Sequence, residues 1–176
     1  MDFEIKITEM GWVQETADEP EDCCLHGKVF VKIGDTIVDP GDIDRWTISA
    51  TAYHLLQSLY KNHNNPGESY AGHMLPCCGH MMFINKAQDR LVIDGCPNGI
   101  DWTVTHEGGM VKLIYNEHTQ GVLSLADYRA IVFAFADQVK GFYNRCQPKT
   151  MAPEDREGYQ RFWDDWHKMR GGEWLP

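Results

Sequence analysis

The chain lacks a basic surplus. It carries 16 Lys and Arg against 26 Asp and Glu, a formal net charge of −10 over 176 residues. Such a surface repels nucleic-acid phosphates and anionic lipid, so neither nucleic acid nor membrane is an expected partner. Long apolar stretches are missing too. The longest run ends at Ala136, far short of the ~20 residues that a membrane helix needs. Asp2 and Glu4 follow Met1 at once, where an export leader would place basic residues and then an apolar run. The expected location is therefore cytoplasmic. No G-x-G-x-x-G, P-loop, H-E-x-x-H or G-x-S-x-G motif occurs, which removes the chemistries that those spacings announce.

What is present suits one globular domain over residues 1–176. Apolar residues make up 43%, and six Trp, seven Tyr and seven Phe offer a large area to bury. The acidity is concentrated at one end. Residues 1–45 hold twelve Asp and Glu against Lys6, Lys28, Lys32 and Arg45, a net of −8. Solubility is one use for such a region. Attraction of a basic protein surface is the other.

The periodicity predicts an α+β fold. Phe3, Ile5 and Ile7 alternate with polar residues, as do Val29, Val31 and Ile33, and Gly34-Asp35 turns the second run into a hairpin. Residues 80–123 read as an antiparallel sheet meander, with turns at 86–89, 107–109 and 116–120. About three helices pack against it, over 49–62, 124–143 and 153–170. Ser49 is the expected cap of the first. Ser124 with Asp127 forms a capping-box variant for the second, and Pro153 suits the first position of the third. Phe135 lies centrally on one apolar stripe, and Trp163 on another formed by Tyr159, Phe162, Trp163, Trp166 and Met169.

The sharpest local pattern is a duplicated CCxH. Cys23-Cys24-Leu25-His26 and Cys77-Cys78-Gly79-His80 each contain a C-x2-H half-site. Two residues between ligands let one turn present both side chains to one ion, and Zn²⁺ prefers four N or S ligands in a tetrahedron. The pattern makes Cys23, Cys24, His26, Cys77, Cys78 and His80 candidates for a closed, structural Zn²⁺ site, provided the fold brings the two segments together. Two other readings stand beside it. The cysteines can be small core residues with hydrogen-bonded histidines. Alternatively, Cys77 or Cys78 can act as a thiol nucleophile with His80 or His106 as its base. His106, on the apolar side of its strand, is expected to hydrogen-bond within the core. The loop Asp94–Gly99 reads as a turn in which Asn98-Gly99 supplies positive φ.

The stretches LPCCGHMMF (75–83), GCPNGIDW (95–102) and GYQRFWDDWHKMRG (158–171) resemble those of small, uncharacterised bacterial proteins. In size and acidity the chain is similar to immunity proteins, which bind and neutralise toxins. That similarity implies a non-enzymatic cytoplasmic antagonist that blocks a basic toxin enzyme. Its acidic contacts would be Glu15, Asp18, Glu19, Glu21 and Asp22, which would steer association while aromatic anchors supply affinity.

Overall fold

The computed structural model describes residues 2–13, 18–39, 41, 43, 45–64, 72–78 and 81–172. Strand β1 (Phe3–Gly11) pairs antiparallel with β2 (His26–Ile33), setting Phe3 opposite Ile33 and Ile5 opposite Val31. Those inward residues are buried, as their alternation predicts. A bulge between Ile7 and Glu9 shifts the register of the outer half. Gly34-Asp35 turns β2 into the short β3 (Thr36–Ile37), and β4 (Trp46–Thr47) lies on the same strand further back.

Helix α1 (Ile48–Ser58) follows β4 directly, and ten of its eleven residues are buried. The sequence ISATAYHLLQS carries no charge, so this helix can be enclosed on every side rather than along one stripe. It packs against β2 and two C-terminal helices, α2 (Leu125–Tyr143) and α3 (Arg156–Gly171). Thr47, not Ser49, occupies the cap position, because β4 delivers the chain straight into the helix; Ser49 is already inside its first turn.

The expected meander is antiparallel, but it splits. Strands β5 (Met81–Asn85) and β6 (Arg90–Asp94) form a separate hairpin. Strands β7 (Thr103–Glu107), β8 (Met110–Ile114) and β9 (Gln120–Ser124) form a three-stranded sheet. Between them, Ile100 pairs elsewhere, and so does the outer edge of β7. Ile100 exchanges both backbone hydrogen bonds with Leu75 at 2.9 Å, and Val104 does so with His63 at 2.8 Å. The segments flanking residues 65–71 therefore close the gap in the meander.

Ser124 caps α2 as its sequence predicts: its Oγ accepts the Asp127 N–H at 3.0 Å. Helix α3 starts three residues beyond Pro153, which sits in the preceding turn. This helix lies directly on β5 because residue 158 is glycine; a Cβ there would meet the Met82 carbonyl oxygen at 1.9 Å. On its inner face Phe162, Trp166 and Met169 are buried, while Trp163 is only half-buried, under Lys140. One continuous core joins Phe3, Trp46, Tyr53, Trp102, Tyr128 and Phe135. No described helix is long and apolar enough to cross a membrane.

Candidate binding cleft and thiol cluster

The loop over residues 18–24 is tied down from both ends. Lys149 is the main anchor. Its side chain is only 3% exposed, lies over the Trp12 ring at 3.5 Å, pairs with Asp18 and donates to the Glu19 carbonyl at 2.8 Å. The other Asp18 oxygen accepts the Gln147 N–H at 2.7 Å. Lys149 first, then the Gln147 amide, hold the Asp18 carboxyl below its ordinary range. Asp22 accepts the Val13 N–H at 2.7 Å. Of the acidic residues singled out for a partner, Asp18 and Asp22 thus fasten the loop, Glu19 and Glu21 are exposed, and Glu15 lies outside the described residues.

Behind this loop, the first CCxH segment enters β2. Tyr143 of α2 clamps it: its hydroxyl donates to the Cys23 carbonyl at 2.7 Å and accepts the Leu25 N–H at 3.1 Å. Cys23 and Cys24 are buried. Burial pushes their thiols up to about 11 and about 12 respectively, so both are protonated near neutrality and are poor nucleophiles. His26 donates from Nδ1 to the Cys24 carbonyl at 2.7 Å, which leaves Nε2 to accept from the Thr47 hydroxyl at 3.2 Å. Both ring nitrogens are therefore engaged within the protein.

The second CCxH segment reaches the first through β4. The Thr47 N–H donates to the Pro76 carbonyl at 2.9 Å, and Thr47 itself pairs with His26. Cys23, Cys24, His26 and Cys78 consequently line one cleft of about 790 Å³. Glu21, Asp22 and Asp155 also line it, with Val13, Met151 and Ala152, and no Lys or Arg is among its described lining residues. It combines carboxylates, thiols and an apolar wall.

Three thiols converge beside this cleft. The sulfurs of Cys77, Cys78 and Cys96 all lie within 4.8 Å of one another, and this is the only described group of three such ligands. Cys77 Sγ is 2.8 Å from Cys96 Sγ, and the Cys96 N–H donates to Cys78 Sγ at 3.0 Å. Burial, with the Cys96 contact next, pushes the Cys77 thiol up to about 12. Burial opposes ionisation of Cys96 as well, but hydrogen bonds from Cys77 and the Asn98 backbone outweigh it and hold that thiol below its ordinary range. The predicted ligands Cys77 and Cys78 thus meet Cys96, which the sequence pattern left as a plain loop residue; His80 lies outside the described residues. The signal for Cys96 is strand pairing: Met81 opposite Asp94 places Cys77 and Cys78 just before one strand and Cys96 just after the other.

Two further histidines, His106 and His63, bond to their neighbours. His106 donates from Nε2 to the Ser58 carbonyl at 2.7 Å, as its strand position predicts. His63 pairs with Asp101 at 2.7 Å. His73 occupies the space that Gly99 leaves open: a Cβ at residue 99 would sit 2.3 Å from its Nδ1. Gly99 is therefore needed for close approach, and its φ is not positive as the Asn-Gly pair had implied.

No protein-family model matches this chain, no curated protein matches it, and no solved structure matches it. The functional reading rests on the geometry of these two neighbouring features.

Proposed function

We propose that this protein is a non-enzymatic binding protein of a bacterial cytoplasm, an immunity-type antagonist that blocks a basic toxin enzyme by receiving a Lys or Arg side chain in the cleft between residues 21–26 and 150–155. The observation that carries this reading is the cleft's lining. Glu21 and Asp155 meet an apolar wall there, beside an Asp22 already bonded to the Val13 N–H, and no Lys or Arg is among the described lining residues. A basic side chain is the ligand that such a wall fits, since its methylenes cover apolar surface while its charged head reaches carboxylate. Glu19 and Glu21, both exposed, extend the negative field outward and steer the encounter. Two further observations support the reading. The Cys23 and Cys24 thiols that line the cleft are protonated and the nearby His26 is fully engaged, which disfavours a Cys–His nucleophile built on them. All six cysteines are free, as suits a reducing compartment.

The test is isolation of the partner with the full chain as bait, followed by association kinetics against the purified partner. Glu19→Gln, Glu21→Gln and Asp155→Asn combined are expected to slow association by about tenfold or more at low salt, with the difference shrinking as salt is raised. An unchanged rate at low salt refutes the cleft as the binding surface. Turnover of any substrate that depends on a Cys or His refutes the non-enzymatic reading.

A further inference from the structure

We propose that Cys77, Cys78 and Cys96 are a binding site for a thiophilic divalent cation, Zn²⁺ above all, which clamps together the two chain segments at the base of the β5–β6 hairpin. The inference starts from an interruption in strand pairing. Met81 pairs with Asp94 at the open end of the hairpin, and Leu75 pairs with Ile100 further back. Between these two points, described residues 76–78 and 95–99 face each other with no ladder pairing. The three cysteines stand in that gap, where no backbone–backbone hydrogen bond joins the described residues of the two segments.

A two-stranded hairpin is marginally stable by itself and needs something to hold it. One face of this one packs on α3 through Met82, which Gly158 allows to come close. Its other face is exposed at Met81 and Phe83. A cross-link at the base holds the two strands to each other, and three sulfurs within 4.8 Å of one another are placed to form it. Zn–S bonds of about 2.3 Å in a tetrahedron put sulfurs roughly 3.8 Å apart. Cys77 and Cys96 need only separate by about 1 Å to reach that spacing. Entry of the ion releases the thiol protons to solvent and replaces the sulfur–sulfur contacts with metal–sulfur bonds.

Burial separates these cysteines from the other vicinal pair. Cys23 and Cys24 are buried in the cleft wall, only 9% and 4% exposed, where thiols behave as small apolar groups. Cys77, Cys78 and Cys96 are all half-buried, so an ion can reach them. The Cys96 N–H on Cys78 Sγ is the kind of outer-shell hydrogen bond that favours a thiolate ligand. Thiolate donors select Zn²⁺ and other soft ions over Mg²⁺ or Ca²⁺. Three protein ligands leave the fourth tetrahedral position to water or to a further donor. The site does not depend on the acidic cleft having a protein partner.

The experiment uses the full chain purified under reducing conditions without chelator. Metal content is measured directly, and Co²⁺ is then titrated into the metal-free protein while thiolate-to-cobalt charge-transfer absorption is followed. The expected result is one ion per chain, with band intensity corresponding to three thiolates. Cys77→Ser, Cys78→Ser and Cys96→Ser should each weaken Co²⁺ binding by at least about tenfold, because losing an outer-shell partner alone costs roughly that much. Cys146→Ser, in a different region beside Trp12, should bind as the parent does. No uptake, parental binding by Cys96→Ser, or intensity for two thiolates or fewer overturns the proposal. If the serine variants fail to fold, the parent still decides: removing the ion should speed amide exchange in β5–β6 and leave β7–β9 unchanged. Unchanged exchange in β5–β6 overturns the clamping role.

Discussion

Asp165→Ala should cost this protein about 2–3 kcal/mol, although its neighbour Asp164→Ala should cost less than about 0.5 kcal/mol. The difference is entirely one of position. Asp165 is 2% exposed on the inner face of α3, whereas Asp164 is exposed. One Asp165 oxygen accepts the Tyr53 hydroxyl at 2.9 Å and the other accepts Arg161 Nε at 2.7 Å. Removing the carboxylate leaves the buried Tyr53 O–H without an acceptor, although its oxygen still accepts Gln57 Nε2 at 3.3 Å, a penalty of about 1–3 kcal/mol. Arg161 loses less. It is partly exposed and keeps Asp89, through Oδ1 at 3.0 Å and the backbone carbonyl at 2.9 Å, so its share is about 0–1 kcal/mol. Equilibrium denaturation in urea measures the total, and melting should fall by roughly 2–4 °C per kcal/mol. A double-mutant cycle isolates the cause. In a Tyr53→Phe background the cost of Asp165→Ala should shrink by about 1–2 kcal/mol, since no hydroxyl is left to orphan. A cost below about 0.5 kcal/mol, or the same cost in both backgrounds, would refute the assignment of Asp165 as the buried acceptor that joins α3 to α1.

Two further outcomes follow from burial. Phe135→Ala and Trp166→Ala should each lose about 3–5 kcal/mol in the same denaturation assay, and half-buried Trp163→Ala clearly less; equal losses for the two tryptophans would show that Trp163 is also enclosed. His54 is held neutral because burial pushes its imidazole down from 6.5 to about 3. Only the unfolded chain binds this proton between those values, so the His54 contribution is complete above pH 6.5 and is lost as pH falls towards 3. The slope is up to about 1.4 kcal/mol per pH unit. His54→Leu should flatten the stability profile just below pH 6.5, ahead of the carboxylate range, and an unchanged slope there would show that His54 is protonated in the fold.

Local pattern was enough for the elements whose signal lies within one turn or one strand. The Ser124 cap, the Phe3/Ile5 alternation and the Gly34-Asp35 turn stand where the sequence puts them, because each depends on neighbours a few residues away. The α+β class followed from the same periodicities. Tertiary structure decided what depends on long-range pairing. The meander divides because Leu75 and His63 take Ile100 and Val104 as partners, and nothing near residue 100 announces that choice. Asp18 and Asp22 spend their carboxylates on Gln147, Lys149 and Val13, so a charge count could not tell which acids remain available outside. The duplicated CCxH singled out Cys77 and Cys78 but not Cys96, whose sulfur the fold sets beside theirs. Cys78 and Cys96 stand 18 positions apart along the chain, and only antiparallel pairing, which returns the chain to its starting point, sets those sulfurs side by side.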